Sequence, residues 1–229
     1  MKIPAFILFF IFSHTLIAQT TITKNLGDFS ILKVYNGIEV ELIKSSDQKI
    51  EITGEKSESV SIKNIDNTLK ISLPFSLNPD KNLAKREVLV TIYYNKNIDV
   101  IDANEASTIT AKEIKQDKLI VNAQEKAFIN LVVAVKHLEV RASSGGIIKL
   151  TGNAKNQYVD LDLYGIYNGF NLECSSSSIV KSGTGAKAEI FAGESLNAKV
   201  SFGGSIFYKG EPEIIKDKKV IGGIIQKRN

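Results

Sequence analysis

The chain has 229 residues, of which 43% are hydrophobic and 24% are charged. This composition supplies enough apolar surface for a packed core and excludes a disordered polymer. The 29 Lys and Arg residues against 25 Asp and Glu leave a small, dispersed net charge of +4, so we predict no nucleic-acid partner. With one Cys and two His, the chain offers few metal ligands or general bases, and we predict neither a metal site nor a cofactor.

Residues 1–18 are typical of a signal peptide. Lys2 supplies the charged start, residues 3–12 form an almost unbroken apolar stretch, and small Ala18 suits a cleavage site. The apolar run is too short to cross roughly 30 Å of hydrocarbon, so we predict cleavage after Ala18 and export to the periplasm, the outer-membrane surface or the extracellular space. The alternatives are a buried N-terminal strand or helix and an uncleaved anchor. No comparable apolar run follows, and we predict that no segment of the mature chain spans a membrane.

Residues 29–95 alternate between polar and apolar side chains and predict a set of N-terminal β-strands. Asn36-Gly37 and Asp66-Asn67 predict tight turns, because these residue types tolerate positive φ angles. Residues 74–86 predict a surface loop, and residues 87–94 predict a further strand.

Residues 96–212 repeat a pattern with a period near twenty residues. Equivalent positions follow one another at spacings of 20, 19, 20, 20 and 18 residues, at Ala103, Ala123, Ala142, Asp162, Ser182 and Val200. Three positions after these anchors, four of the six repeats carry Gly, which is typical of a corner with positive φ. Two short alternating strands per repeat predict a parallel β-solenoid of about six coils of about 20 residues.

Two alternatives stay open, one to the solenoid fold and one to the register of a single repeat. A β-sandwich of hairpins would explain the alternation but not the constant spacing. In the fourth repeat, Val159, Leu161 and Leu163 would form a better apolar set if the register slipped by one residue. Residues 213–229 combine a charged run with a short apolar segment and predict a C-terminal cap over the open end of the solenoid.

The corners Ala142-Ser-Ser-Gly-Gly146 and Ser182-Gly-Thr-Gly185, and the stretch at residues 196–212, point to a known family. With its leader and alternating first half, the chain resembles the putative auto-transporter adhesin head, or GIN, domain of exported Bacteroidetes proteins over residues 29–212. The resemblance implies a right-handed parallel β-helix-like fold, a single GIN-like domain over residues 19–229, and an envelope or surface location. The family's repeated Ser-Gly corners are absent at residues 104–106 and 124–126, so the resemblance implies no particular ligand.

The outward positions of the predicted coils suggest a binding surface. Five positions after the anchors, the side chains are expected to stack as an exposed apolar ladder with a polar rim. The ladder consists of Phe128, Ile147 and Tyr167, and its rim of Asn130, Lys149 and Lys187. Such a surface would suit an envelope or host glycan or a surface protein, unless the N-terminal strands or a partner subunit cover it.

A second outward column lies one position before the anchors and becomes basic toward the C-terminus. It consists of Asp102, Asn122, Arg141, Leu161, Lys181 and Lys199. We predict an ordinary solvated face here, with weak attraction to anionic envelope polysaccharide as the sharper alternative.

We predict no catalytic residue. His137 is expected to be a solvated loop residue, and the lone Cys174 a small packed side chain that can form no internal disulfide. Ser195 lacks the glycine pattern of a nucleophile elbow.

The enzymatic alternative comes from parallel β-helices that cleave polysaccharides with clustered carboxylates. Asp160 and Asp162 would lie about 7 Å apart on one strand face, with Glu173 later in the same coil. We favour a non-enzymatic exported protein over this polysaccharide lyase or hydrolase, because a one-residue slip would place both Asp side chains in solvent.

Overall fold

The computed structural model describes residues 21–74 and 88–229. The predicted leader, and the predicted loop beyond Pro74, lie outside the described residues. The described residues form eighteen strands and one short 3-10 helix (Ser57–Ser59). The strands are β1 Ile22–Asn25, β2 Ile31–Val34, β3 Glu39–Lys44, β4 Lys49–Thr53, β5 Ser61–Ile65, β6 Thr68–Ser72, β7 Leu89–Tyr94, β8 Val100–Ala103, β9 Thr108–Ala123, β10 Phe128–Ala142, β11 Ile147–Leu161, β12 Ile166–Gly169, β13 Leu172–Ser182, β14 Lys187–Phe191, β15 Ser195–Ser201, β16 Ser205–Lys209, β17 Ile214–Val220 and β18 Ile224–Lys227.

The strands wind into a parallel solenoid of about seven turns. The ends of β9, β10 and β11 pair in parallel with one another and with β8, β13, β15 and β17, and this sheet is called face 1. The starts of β9, β10 and β11 pair in the same way with β3, β12, β14, β16 and β18, and this sheet is called face 2. The predicted all-β, parallel β-helix-like fold is therefore confirmed.

Aliphatic side chains fill the interior between the faces, and their register corrects one predicted turn. Val140 pairs with Val159, and Ala142 pairs with Leu161. Leu161 and not Asp162 therefore occupies the inward anchor position, and Leu161 is buried. The alternative register holds because an inward carboxylate would lose its hydration without a charged partner, whereas Leu161 gains by burial.

The N-terminal strands continue the solenoid rather than merely preceding it. β2 and β3 form a turn that pairs in parallel with β8 and β9. β6 and β7 pair in parallel with the opposite edges of β2 and β3, so the first turn lies between segments that come later in the chain. Antiparallel strands β4, β1 and β5 cover this end.

The C-terminal segment adds a further parallel turn that carries charge into core-facing positions. β17 pairs with β15 and β18 with β16. Asp217 and Lys219 lie opposite the buried Ala198 and Val200. Charged side chains at inward positions end the apolar core and discourage edge-to-edge pairing.

Candidate functional site

The predicted apolar ladder exists on face 2 with one different member. Phe128 pairs with Ile147, Ile147 with Ile166, and Ile166 with Lys187. These side chains are half-buried on the outer surface. Tyr167 instead pairs with Ile148 and is completely buried, because the fourth turn has the slipped register. The ladder is therefore Phe128, Ile147 and Ile166, and the placement of Tyr167 in it was wrong.

A polar row runs beside this ladder. Asn130 pairs with Lys149, Lys149 with Asn168, and Asn168 with Glu189. Lys149 is exposed, whereas the Nζ atom of Lys187, at the end of the ladder, lies 2.5 Å from Glu189 Oε1. An apolar strip beside amide and ammonium groups can pack against a ring face and hydrogen-bond to hydroxyls at its rim.

The N-terminal strands leave the ladder uncovered among the described residues. Glu39 of β3 pairs with Thr108, which pairs with Phe128, and Leu89 of β7 pairs with Glu39. These residues lengthen the same row along the solenoid axis. The possibility that the N-terminal strands lie over the ladder is therefore not realised.

Beneath face 2, Tyr167 belongs to a buried polar network. Its hydroxyl donates to Gln157 Oε1 at 3.4 Å, and Gln157 Nε2 donates to Ser178 Oγ at 3.0 Å and to the Phe191 carbonyl at 2.9 Å. Burial raises the pKa of Tyr167 far above its usual value, so the group is a neutral structural donor.

The candidate nucleophile and base do not form a reactive pair. Cys174 is buried, and burial raises the pKa of its thiol, which suppresses the reactive thiolate. His137 is exposed as predicted but lies within β10, paired with Lys118 and Asn156, rather than in a loop.

The three candidate carboxylates do not converge. Asp160 projects from face 1, where Tyr158 donates a hydrogen bond to its Oδ2 at 3.2 Å, and it takes the place predicted for Leu161 in the outward column between Arg141 and Lys181. Asp162 lies at a corner, and Glu173 lies opposite Asn153 and lines a different groove from the two Asp residues.

The corner position of Asp162 gives it a structural role. Its Oδ1 accepts from the backbone amides of Leu163 at 2.9 Å and Thr184 at 2.8 Å. These hydrogen bonds lower the pKa of the carboxyl. Within residues 21–74 and 88–229, no group of His, Cys, Asp or Glu side chains is arranged to hold a metal ion. The separation of Glu173 from the two Asp residues gives the polysaccharide-cleaving alternative no support.

The corner between face 1 and face 2 carries an exposed apolar row that the sequence reasoning missed. We call Leu163, Tyr164, Phe202 and Ile221 the corner ridge. Their side chains are 48%, 67%, 58% and 71% exposed, respectively. All four adopt positive φ angles, between 43° and 63°, a region in which bulky and β-branched residues are rare.

The stacking of the corners explains this backbone conformation. The amide of each corner donates to a carbonyl of the next, as from Lys126 to Ser144, from Gly145 to Leu163, and from Tyr164 to Thr184. The geometry repeats whether the corner carries Glu125 or Phe202. The recurrent Gly three positions after the anchors predicted these corners, but it carries no information on the apolar residues beside it.

Comparison with known proteins gives the chain a family. The model of the family described as "Putative auto-transporter adhesin, head GIN domain" matches residues 28–212. No curated protein sequence matches the chain. In the described part of the chain, no helix has the length and apolar character needed to cross a bilayer.

Solved structures share the fold at low sequence identity. A putative adhesin from Bacteroides fragilis aligns with a TM-score of 0.82 and 20% identity, over 92% of this chain and 97% of that one. A putative adhesin from Parabacteroides merdae gives 0.71 and 21%, over 92% and 96% of the two chains. A chain from Parabacteroides distasonis described as a putative lipid binding protein gives 0.68 and 16%, over 92% and 97%. These likenesses establish the fold alone. The family match over residues 28–212 shows that the chain belongs to the auto-transporter adhesin head GIN domain family.

Proposed function

We propose that this chain is an exported, non-enzymatic, adhesin-like protein of the cell envelope that binds an extended glycan along face 2. The observation that supports the proposal is the in-register stacking of Phe128, Ile147 and Ile166 beside the polar row. In a parallel solenoid, side chains repeat about every 4.8 Å along the axis. Such a row suits a linear polymer better than a compact ligand.

The chemistry of the two rows favours sugar. Apolar side chains pack against the C–H face of a pyranose ring, and Asn130, Lys149 and Asn168 supply donors and acceptors for ring hydroxyls. Lys187 is held by Glu189 and would limit the strip at its C-terminal end. A flat protein surface is the competing partner, and the absence of glycan binding in the test below would favour it.

The test is a glycan array probed with the secreted form of the chain. Phe128→Ser combined with Ile147→Thr should reduce glycan binding at least about tenfold, because central apolar contacts dominate such surfaces. The matched control is Ile120→Thr combined with Ile179→Thr, which changes outward residues of face 1. Equal binding by both variants, or no binding to any glycan by the unaltered chain, would exclude face 2 as a glycan site.

Location is tested by protease shaving of intact cells against lysed cells. The leader at residues 1–18 and the family membership support export. Cleavage of the chain on intact cells is the result expected for surface display. Protection until lysis would place the chain in the periplasm and would rule out an adhesin role at the cell surface.

A further inference from the structure

The corner ridge has no packing role that accounts for its composition. Phe202 and Ile221 point into solvent from strained corners. Tyr164 lies against the next corner, so that a Cβ added at Gly185 would lie 2.6 Å from its ring, and the ridge is thereby continuous. From the Leu163 turn to the Ile221 turn it extends over three rungs, or about 14 Å.

The backbone makes these residue choices costly. A non-Gly residue in the left-handed region loses about 1–2 kcal/mol, and a β-branched residue such as Ile221 is the least tolerated type there. The equivalent corners nearer the N-terminus carry Glu105 and Glu125. The left-handed conformation therefore recurs along the corner and does not by itself mark a site. What sets the C-terminal corners apart is that bulky apolar side chains occupy this conformation although they are exposed and contribute little to stability.

A basic row lies immediately beside the ridge on face 1. Lys181, Lys199 and Lys218 pair with one another on successive rungs, and all three are exposed. Lys199 and Lys218 make no ion pair with a described residue. Lys181 Nζ donates to the Tyr158 hydroxyl at 2.8 Å. The acidic groups near this row in the described part of the chain include Asp160, one rung before Lys181, and Asp162, whose Oδ1 is already hydrogen-bonded to the backbone. They also include Asp217, which is exposed and precedes Lys218 in β17.

The shape of the ridge decides between partner classes. The apolar side chains project from the tips of turns, so the surface is convex and has no groove to enclose a sugar chain. Convex apolar tips backed by lysines match an anionic bilayer, because the tips enter the boundary between headgroups and acyl chains while the ammonium groups remain among the phosphates.

We propose that the corner ridge and the row of Lys181, Lys199 and Lys218 form a peripheral binding site for an anionic phospholipid membrane surface. The site is separate from the ladder on face 2. The chain would lie with this corner against the bilayer, and face 2 would remain available for a second partner.

The experiment is co-sedimentation of the secreted form of the chain with vesicles. Vesicles of phosphatidylglycerol and phosphatidylethanolamine should bind the chain, and phosphatidylcholine vesicles should bind it at least about tenfold more weakly. Phe202→Asn combined with Ile221→Asn should weaken binding to the anionic vesicles by about tenfold or more. Asn tolerates the left-handed conformation, so this variant should stay folded, which far-UV circular dichroism checks.

The matched control is Glu105→Asn combined with Glu125→Asn, which introduces the same residue at the same backbone positions in the N-terminal turns and removes two negative charges. It should bind anionic vesicles at least as well as the unaltered chain. Lys199→Gln combined with Lys218→Gln should lower binding by about tenfold and reduce its salt dependence, since each lysine near the surface contributes separately.

Three outcomes would overturn the proposal. They are the absence of binding to anionic vesicles, equal binding to anionic and neutral vesicles, and undiminished binding by the Phe202→Asn and Ile221→Asn variant. Binding to soluble alginate without vesicle binding would assign the lysine row to anionic polysaccharide instead. None of these results depends on the glycan array, so failure here is distinguishable from failure of the face 2 proposal.

Discussion

The interior differs between the N-terminal and the C-terminal turns of one solenoid. Around Ala123 and Ala142 the buried side chains are aliphatic, and the buried polar residues Asp102, Asn104 and Ser107 lie beside Ala103 in the turn before. The C-terminal turns add buried polar groups in the same frame, namely Gln157, Tyr167, Cys174, Ser178 and Ser182. Parallel hydrogen bonding between rungs sets the backbone of both regions, so a core position can change from aliphatic to polar provided that its polar atoms find partners.

The corner differs in the same way and at the same place in the chain. Glu105 and Glu125 occupy it in the N-terminal turns, and Leu163, Phe202 and Ile221 in the C-terminal turns, with similar φ angles throughout. The backbone conformation therefore does not determine the side chain at this position. Under the membrane proposal, a partner selects the apolar residues at the C-terminal corner, and the stability measurements below test this against a packing role.

The largest expected effect tests the interior of the C-terminal turns. Tyr167→Ala should destabilise the chain by about 3–5 kcal/mol, because it empties a large, completely buried site. Ile166→Ala, one residue away on the outer surface, should cost about 1 kcal/mol or less. Denaturant unfolding of both variants measures the difference. A larger loss of unfolding free energy for Ile166→Ala would mean that Tyr167, and not Ile166, belongs to the outward ladder.

A smaller effect isolates the polar network. Tyr167→Phe keeps the ring but leaves Gln157 Oε1 without its hydroxyl donor, and we expect a loss of about 1–2 kcal/mol. Tyr164→Phe is the matched control, because that side chain is 67% exposed. Equal free energies of unfolding for the two variants would show that the buried hydroxyl stabilises the fold no more than an exposed hydroxyl does.

These residues also show how far the sequence predicts the molecule. Constant spacing and alternation predicted the solenoid, because parallel rungs require both. They did not resolve a one-residue slip at Leu161 and Asp162, because a period of two inverts every side chain when the register shifts by one. That single slip placed Tyr167 wrongly in the ladder and Leu161 wrongly in the outward column.

The partner of a strand was predictable only inside the repeat. β6 and β7 alternate as clearly as β2 and β3, yet they pair outside the earlier turn. Alternation identifies a strand and its buried face but carries no information on its neighbour. The corner ridge was missed for a different reason, since a search for glycine at corners passes over the non-Gly residues that adopt the same conformation.

Asp162, at the junction of the two regions, should make a pH-dependent contribution to the free energy of unfolding. Its folded pKa is lowered by hydrogen bonds from the backbone amides of Leu163 and Thr184. The resulting stability is therefore fully present above the pKa of the unfolded carboxyl and is lost as pH falls through the lower folded pKa. Asp162→Ala should cost about 1 kcal/mol at neutral pH, measured by denaturant unfolding.

Asp162→Asn separates the charge from the geometry. The amide oxygen can still accept from both backbone donors, so most of the neutral-pH stability should remain, while the acid-dependent loss should diminish. An unchanged pH profile in Asp162→Asn would mean that another carboxyl dominates acid unfolding of these turns.

The smallest expected effect bears most directly on the contrast between the two corners. Phe202→Asn should leave the free energy of unfolding unchanged or raise it by up to about 1 kcal/mol, because Asn adopts the left-handed conformation at lower cost than Phe. Glu125→Asn should give a similar small gain at the N-terminal corner. Thermal and denaturant unfolding of the two variants, measured side by side, provide the comparison. If Phe202→Asn were strongly destabilising while Glu125→Asn was not, the ridge would be a packing element of the C-terminal turns, and its apolar character would need no partner to explain it. If both variants are as stable as the unaltered chain, Phe202 does not stabilise the fold at that corner, and binding of a partner is the remaining explanation for its apolar side chain.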